Sequence, residues 1–494
     1  MEILNNFLLI RVATGLVGIF IPFLLVKQMS TPDFAMYSIV SASAALAVAM
    51  SSVGVDRACL KAFPSFSSNI IDRRLGKLVC GLAVTRFAAL LVVVFLLLWF
   101  GVGLPDTRLA YTQDVSLVLT LVAATAVSTA LNQFIAATVQ GLLLHNAFAR
   151  VLFSVTLLRA ALFLFAPLVG TPLDFVVALI VVVVTELVAV LIQVAIVVVH
   201  ASRRVTAPSM PAGGILTLGA TIRHGLTNYT SYMAALPWSP AALILLVSNF
   251  STVEDTASFA FFLNLADRAR QFLPAQLLQS YVEPIWTRRF NACNRVQQMT
   301  RPAGLLIKAN VLVVSFALFI LASVGEELSR NFLRESYAAD IHILILILVQ
   351  VGFGSINSVL WVGLNVTGEI RMLTRQYIVI STCLAPIMFI SAKYGRPELI
   401  IIVCMLPPIL LLLTLRICRA SFAMLRLPLL VMPQMMATGY LTGVAVDFVI
   451  NQIISGSFLL KVGVVAFGTL AWCVIIFSLS AFSRSETLML RKLS

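Results

Sequence analysis

The sequence predicts an all-α integral membrane protein with about fourteen transmembrane helices, and three observations lead there. Of 494 residues, 60% are hydrophobic and only 11% are charged, whereas a soluble domain carries about 25% charged residues interleaved with apolar ones. Apolar runs of roughly 20 residues, enough to cross about 30 Å of hydrocarbon at 1.5 Å per residue, recur from one end of the chain to the other. These runs are too long and too unalternating for barrel strands, so helices are what satisfies their backbone groups in lipid.

In chain order the spans fall near 7–28, 34–55, 76–100, 115–139, 146–168, 173–199, 222–249, 256–283, 303–325, 340–365, 371–393, 397–419, 428–450 and 459–482. The seventh is broken by Pro237 and Pro240, and the thirteenth holds Pro433 near one end. The longest loop has about twenty residues, which leaves no room for a separate soluble catalytic domain. Glu2 stands where a basic start is usual, and no small-residue cleavage site precedes Lys27, so the first helix is expected to stay as an anchor.

Orientation follows from the cations, because cytoplasmic loops retain Lys and Arg during insertion. With the N-terminus inside, the stretches 55–76, 140–150, 200–223, 284–302, 366–375, 416–428 and the tail are cytoplasmic, and they hold most of the arginines, among them Arg73, Arg74, Arg203, Arg204, Arg288 and Arg289. The opposite loops hold most of the acids, such as Asp106, Asp114, Glu326 and Glu327. Both termini are therefore expected inside an inner (plasma) membrane. The net charge of +14 reads as this inside excess and an attraction for anionic lipid heads, not as a nucleic-acid footprint. The seven cysteines lie in helices or at cytoplasmic ends and the four histidines near helix ends, so neither a disulfide, a metal nor another cofactor is expected.

An internal repeat is also legible. Ser30-Thr31-Pro32-Asp33-Phe34 opens the second helix, and Ser251-Thr252-Val253-Glu254-Asp255 opens the eighth. Pro64 and Pro284 follow at nearly the same offset, and Pro22 of helix one matches Pro237 of helix seven. The expected organisation is a six-helix bundle over 1–210, a second over 211–425, and two further helices with a tail over 426–494. Repeated bundles of this kind suit alternating access, one bundle rocking against the other. In helix thirteen, Gly439 and Gly443 form a G-x-x-x-G that reads as close helix packing.

Three stretches carry a family resemblance. S-T-P-D-F-A-M-Y, followed by a helix ending in V-G-V-D-R-A-C-L-K-A-F-P, is similar to the start of polysaccharide-type (Wzx-type) flippases of the multidrug, oligosaccharidyl-lipid and polysaccharide exporter superfamily. L-N-L-A-D-R-A-R-Q with P-I-W-T-R-R-F, between Ser258 and Phe290, resembles the eighth helix of that group, and F-L-R-E-S-Y-A-A-D precedes the tenth. The resemblance implies a transporter, not an enzyme, that flips a polyprenyl-pyrophosphate-linked oligosaccharide for O-antigen, capsule or exopolysaccharide assembly, with a polysaccharide polymerase and export machinery as its partners.

Ionisable residues in mid-membrane cost about 2.5 to 3.5 kcal/mol on insertion scales and are retained for a reason. Arg86 lies in helix three, Arg159 in helix five, and Asp267, Arg268 and Arg270 in the middle of helix eight, while Arg11 and Lys308 sit about one turn inside the cytoplasmic boundary. These cations form a candidate substrate-binding lining, since guanidinium groups bind phosphate oxygens bidentately and keep their charge when partly desolvated. Glu186 and Asp267 are candidates for proton or sodium coupling. Structural roles compete with each assignment: Arg11 and Lys308 sit where long side chains snorkel to headgroups, Asp267 and Arg270 are spaced as an ion pair, and Glu186 is available to an arginine.

Two other classes are weighed against the flippase. A drug or small-cation exporter is expected to prefer acids and aromatics in its cavity, and a membrane enzyme of polysaccharide assembly to carry a large outer loop or an intramembrane histidine.

Overall fold

A computed structural model describes residues 2–63, 73–100, 115–142, 144–170, 172–202, 218–277, 286, 296–394, 396–420, 431–453 and 458–478. Among them every regular element is helical, and eleven helices are long and apolar enough to cross a membrane. The P-I-W-T-R-R-F stretch (Trp286 aside), Pro64, Pro284, Cys293 and the C-terminal tail lie outside the described residues.

By contact the helices form two compact units, Met1–Phe261 with Ala392–Gly395, and Phe262–Ser391 with Arg396–Ser494. The first of these units includes the seventh span.

The first unit contains α1 (Glu2–Gln28), α2 (Thr31–Met50), α3 (Val55–Ala62), α4 (Arg73–Phe100), α5 (Val115–Gly141), α6 (His145–Phe165), α7 (Phe175–Ser202), α8 (Leu218–Ala235) and α9 (Pro240–Phe250). A two-residue turn joins α1 to α2. Ser30 caps α2 by accepting the Asp33 N–H at 3.2 Å, and Pro32 occupies the first turn, where its missing N–H goes unneeded. Small residues bring α2 and α5 close, with Ala44, Ala47, Ala126 and Ala130 all buried at their contact. The seventh span breaks where its prolines predict: a short 3-10 turn, Leu236–Trp238, separates α8 from α9, and Ser239 caps α9 by accepting the Ala242 N–H at 3.3 Å.

The helix α10 (Val253–Arg270) corrects the sequence reading of one continuous span over 256–283. It opens on a reciprocal capping box, in which Asp255 N–H donates to Thr252 Oγ1 at 3.1 Å and Thr252 N–H to Asp255 Oδ2 at 3.3 Å. It stops at Arg270, and Gln271–Leu273 form tight turns before Pro274, which has no N–H to give the Arg270 carbonyl. The Ala275 N–H beyond the break is taken by the Asn310 side chain at 2.9 Å.

The unit boundary falls within α10, Val253–Phe261 counting with the first unit and Phe262–Arg270 with the second, which further contains α11 (Thr300–Phe332), α12 (Ile341–Thr367), α13 (Ile370–Lys393), α14 (Pro397–Cys404), α15 (Leu406–Ile417), α16 (Val431–Ile453) and α17 (Phe458–Ser478). The twelfth span is interrupted at Met405, ahead of Pro407 and Pro408. The most extensive contact in this unit is between α11 and α16. A Cβ on Gly439 would overlap the Ser315 carbonyl oxygen, and one on Gly443 would overlap the Phe319 carbonyl and Ala322, so the G-x-x-x-G does serve close packing. Ser315 Oγ donates to the Met435 carbonyl at 2.5 Å and accepts from Trp472 Nε1 of α17 at 3.0 Å, tying three helices at one hydroxyl.

Candidate functional site

Among the described residues of the first unit, two groups of polar side chains join neighbouring helices. The larger one joins α5, α6 and α7. Arg159 Nη2 donates to Glu186 Oε1 at 2.6 Å and Arg159 Nε to Thr185 Oγ1 at 2.9 Å. Asn132 Nδ2 donates to the other Glu186 oxygen, and Gln193 Nε2 donates to Asn132 Oδ1 at 3.0 Å. Glu186 and Gln193 are about two helical turns apart, which puts them on one face of α7, where Asn132 bridges between them. Both charged side chains are mostly buried, at 16% and 13% exposure, and both oxygens of the carboxylate are occupied. An intramembrane ion pair with this many hydrogen bonds meets the condition under which burial of two charges is tolerated.

The smaller group surrounds Arg86 on α4. Its side chain has no exposed surface, and its Nη2 approaches Gln133 Oε1 at 3.4 Å and Asp56 Oδ2 at 3.8 Å. Asp56 sits in the first turn of α3, which follows a left-handed turn at Val53 (φ 46°) and Gly54 (φ 72°). A β-branched residue rarely adopts such a φ, so this turn is strained. A Cβ on Gly54 would overlap the backbone of Gly225 in α8, so two glycines allow the turn and α8 to touch. On the same face of α8, the Tyr229 hydroxyl donates to the Met50 carbonyl. Within α3, burial first and then the Asp56 charge push the Cys59 thiol well up, leaving it a protonated, unreactive packing group.

The remaining candidates are placed as follows. Arg11 lies between two aromatic faces, its guanidinium carbon 5.6 Å from the ring centroids of both Phe7 and Phe148, an arrangement that stabilises a cation through the rings' negative faces. In the second unit, Asp267, Arg268 and Arg270 are partly buried and occupy the last turn of α10 rather than the middle of a helix. Cations there complement the free carbonyls of a helix end. None of the three makes an ion pair among the described residues, so Asp267 and Arg270 are not the pair that their spacing allowed. Lys308, on α11, is partly buried.

The structure thus joins Arg159 to Glu186 and gives Arg86 a carboxylate neighbour, so two of the arginines counted towards a cationic lining face internal counter-charges. Asp56, Asn132, Gln133 and Gln193 were missed by sequence reasoning. A signal was present for the amides: Asn132 and Gln133 are adjacent polar residues inside an otherwise apolar span.

The architecture has relatives among solved structures. Lipid II flippase MurJ in its inward closed conformation is similar with a TM-score of 0.63 and 13% sequence identity, over 95% of this chain and 99% of that one. A MATE transporter of Vibrio cholerae, VcmN, is similar over 85% of this chain and 97% of that one, with a TM-score of 0.44 and 13% identity. A MOP superfamily transporter from Pyrococcus furiosus is similar over 85% and 95%, with a TM-score of 0.45 and 14% identity. No protein-family profile matches the chain, and no curated protein matches it in sequence. At such identities the likeness is one of fold: the chain is an all-helical, multi-pass membrane protein with the fold seen in lipid II flippase MurJ.

Proposed function

We propose that this protein flips a polyprenyl-pyrophosphate-linked oligosaccharide across the inner membrane for surface polysaccharide biosynthesis, by alternating access and with both termini in the cytoplasm. The observation that carries the reading is the fold likeness to a lipid II flippase along nearly the whole of both chains. Arg268 and Arg270, in the final turn of a helix broken within its span, supply cationic groups suited to a pyrophosphate. The acyl chain stays in the hydrocarbon while the headgroup crosses on a polar path.

The test is leaflet exposure of a fluorescent polyprenyl-pyrophosphate oligosaccharide in liposomes holding the purified protein, with and without a proton or sodium gradient. Protein-dependent movement is expected, and its response to each gradient identifies the coupling ion. If folded protein moves none of several glycans, the reading fails and an ion-coupled exporter of small molecules takes its place.

A further inference from the structure

Among the described residues, Arg86 is the largest side chain with no exposed surface. It lies about ten residues into the span that starts at Gly76, some 15 Å deep at 1.5 Å per residue. A guanidinium has five N–H donors, and one left without an acceptor in a dry interior carries its full desolvation cost. Arg159 shows that this fold can satisfy such a group, through a 2.6 Å bond to Glu186 and a 2.9 Å bond to Thr185. Arg86 is treated differently. Both of its neighbours approach the same nitrogen, Nη2, and at 3.4 and 3.8 Å they stand beyond the about 2.7–2.9 Å of a charge-assisted bond. No acceptor among the described residues reaches Nε or Nη1, so three of the five donors are vacant.

We propose that Arg86 is a phosphate subsite and that Asp56 is its resting counter-ion, displaced when a phosphate oxyanion takes the vacant N–H groups. The class of ligand follows from the donor set. A carboxylate is already present and engages one nitrogen only, whereas a tetrahedral phosphate presents three oxygens to a guanidinium and matches its planar fork. Among the described residues, the ionisable groups that face Arg86 are Asp56, Tyr229, Tyr232 and Cys59, of which Asp56 alone is an anion at neutral pH that a phosphate would have to displace. This inference rests on the flippase reading for its source of phosphate, a prenyl pyrophosphate.

The experiment measures binding of farnesyl pyrophosphate, inorganic pyrophosphate and phosphatidylglycerol to the purified full chain in detergent. Asp56→Asn is nearly isosteric and removes the competing charge, so farnesyl pyrophosphate is expected to bind about tenfold more tightly, and a gain in affinity cannot come from misfolding. Arg86→Gln is expected to weaken it at least tenfold, Arg86→Lys to restore part of the loss, and Asp56→Asn to have no effect in the Arg86→Gln background. Affinity for farnesyl pyrophosphate well above that for the other two probes assigns the site to a prenyl-linked source. Equal affinity for inorganic pyrophosphate keeps the phosphate subsite but assigns it to a soluble anion. The proposal is overturned if Asp56→Asn does not tighten binding, if tightening persists without Arg86, or if Arg86→Gln leaves affinity unchanged because only water fills the vacant donors. A wild-type protein that moves the glycan lipid while Asp56→Asn changes nothing loses this inference alone; one that binds none of the probes loses the flippase reading with it.

Discussion

The two units solve the same assembly problem by different chemistry. Lipid gives apolar helices no net reason to associate, so they are joined by close packing of small residues or by polar bonds between helices. In the second unit the strongest junction is of the first kind: Gly439 and Gly443 bring α16 onto α11, and one hydroxyl, Ser315, links α11, α16 and α17. In the first unit, charge is also used, through the network of Arg159, Glu186, Asn132 and Gln193. A glycine seam needs no ionisable group and offers a substrate nothing to bind. An intramembrane ion pair stabilises as well, yet it also holds a charge that a ligand can compete for. Helices joined by charge are therefore a place to seek transport chemistry, beside the cations at the end of α10, unpaired among the described residues.

Mutations can break this contrast. The largest effect is expected at the seam: Gly439→Leu or Gly443→Leu should prevent α16 from docking, costing about 3 kcal/mol or more and abolishing a monodisperse peak in detergent. A well-folded Leu variant would mean that α11 and α16 are held by something else. Next, Glu186→Met leaves Arg159 buried and uncompensated, for a loss of about 3 kcal/mol, while the double change Arg159→Met/Glu186→Met should recover most of it in thermal melts. Transport by the double variant then separates a clamp, which keeps activity, from a ligand-competing pair, which loses it. Ser315→Ala should cost about 1 kcal/mol through the bonds to Met435 and Trp472. The smallest effect belongs to the cap, where Asp255→Ala should cost under about 1 kcal/mol and leave transport intact.

Much of the fold was legible because each span is long, apolar and bounded by turn or capping residues. The break in the seventh span followed from Pro237 and Pro240, but Pro274 was passed over inside an otherwise periodic run, and Arg268 and Arg270 were consequently placed mid-helix. The site was legible as a set of residues, not as an arrangement. Glu186 was recognised as a possible arginine partner, yet nothing local distinguished Arg159 from Arg86, which lie on different helices. Asp56 was missed for a different reason: it stands in a turn between helices, where an acid is ordinary, and only the fold places it beside a buried cation.

The capped turn at Ser30 has a consequence for biogenesis. Only Met29 and Ser30 separate α1 from α2, and only Ser251 and Thr252 separate α9 from α10. A joint that short cannot leave one helix in the bilayer while the other waits in water, so each pair is expected to enter the membrane as a preassembled hairpin. Its tip arrives with N–H groups already satisfied, that of Asp33 by the Ser30 hydroxyl in the first pair, and those of Thr252 and Asp255 by each other's side chains in the second. Lengthening either turn by a few flexible residues would uncouple the two insertions and delay maturation long before it altered the finished structure.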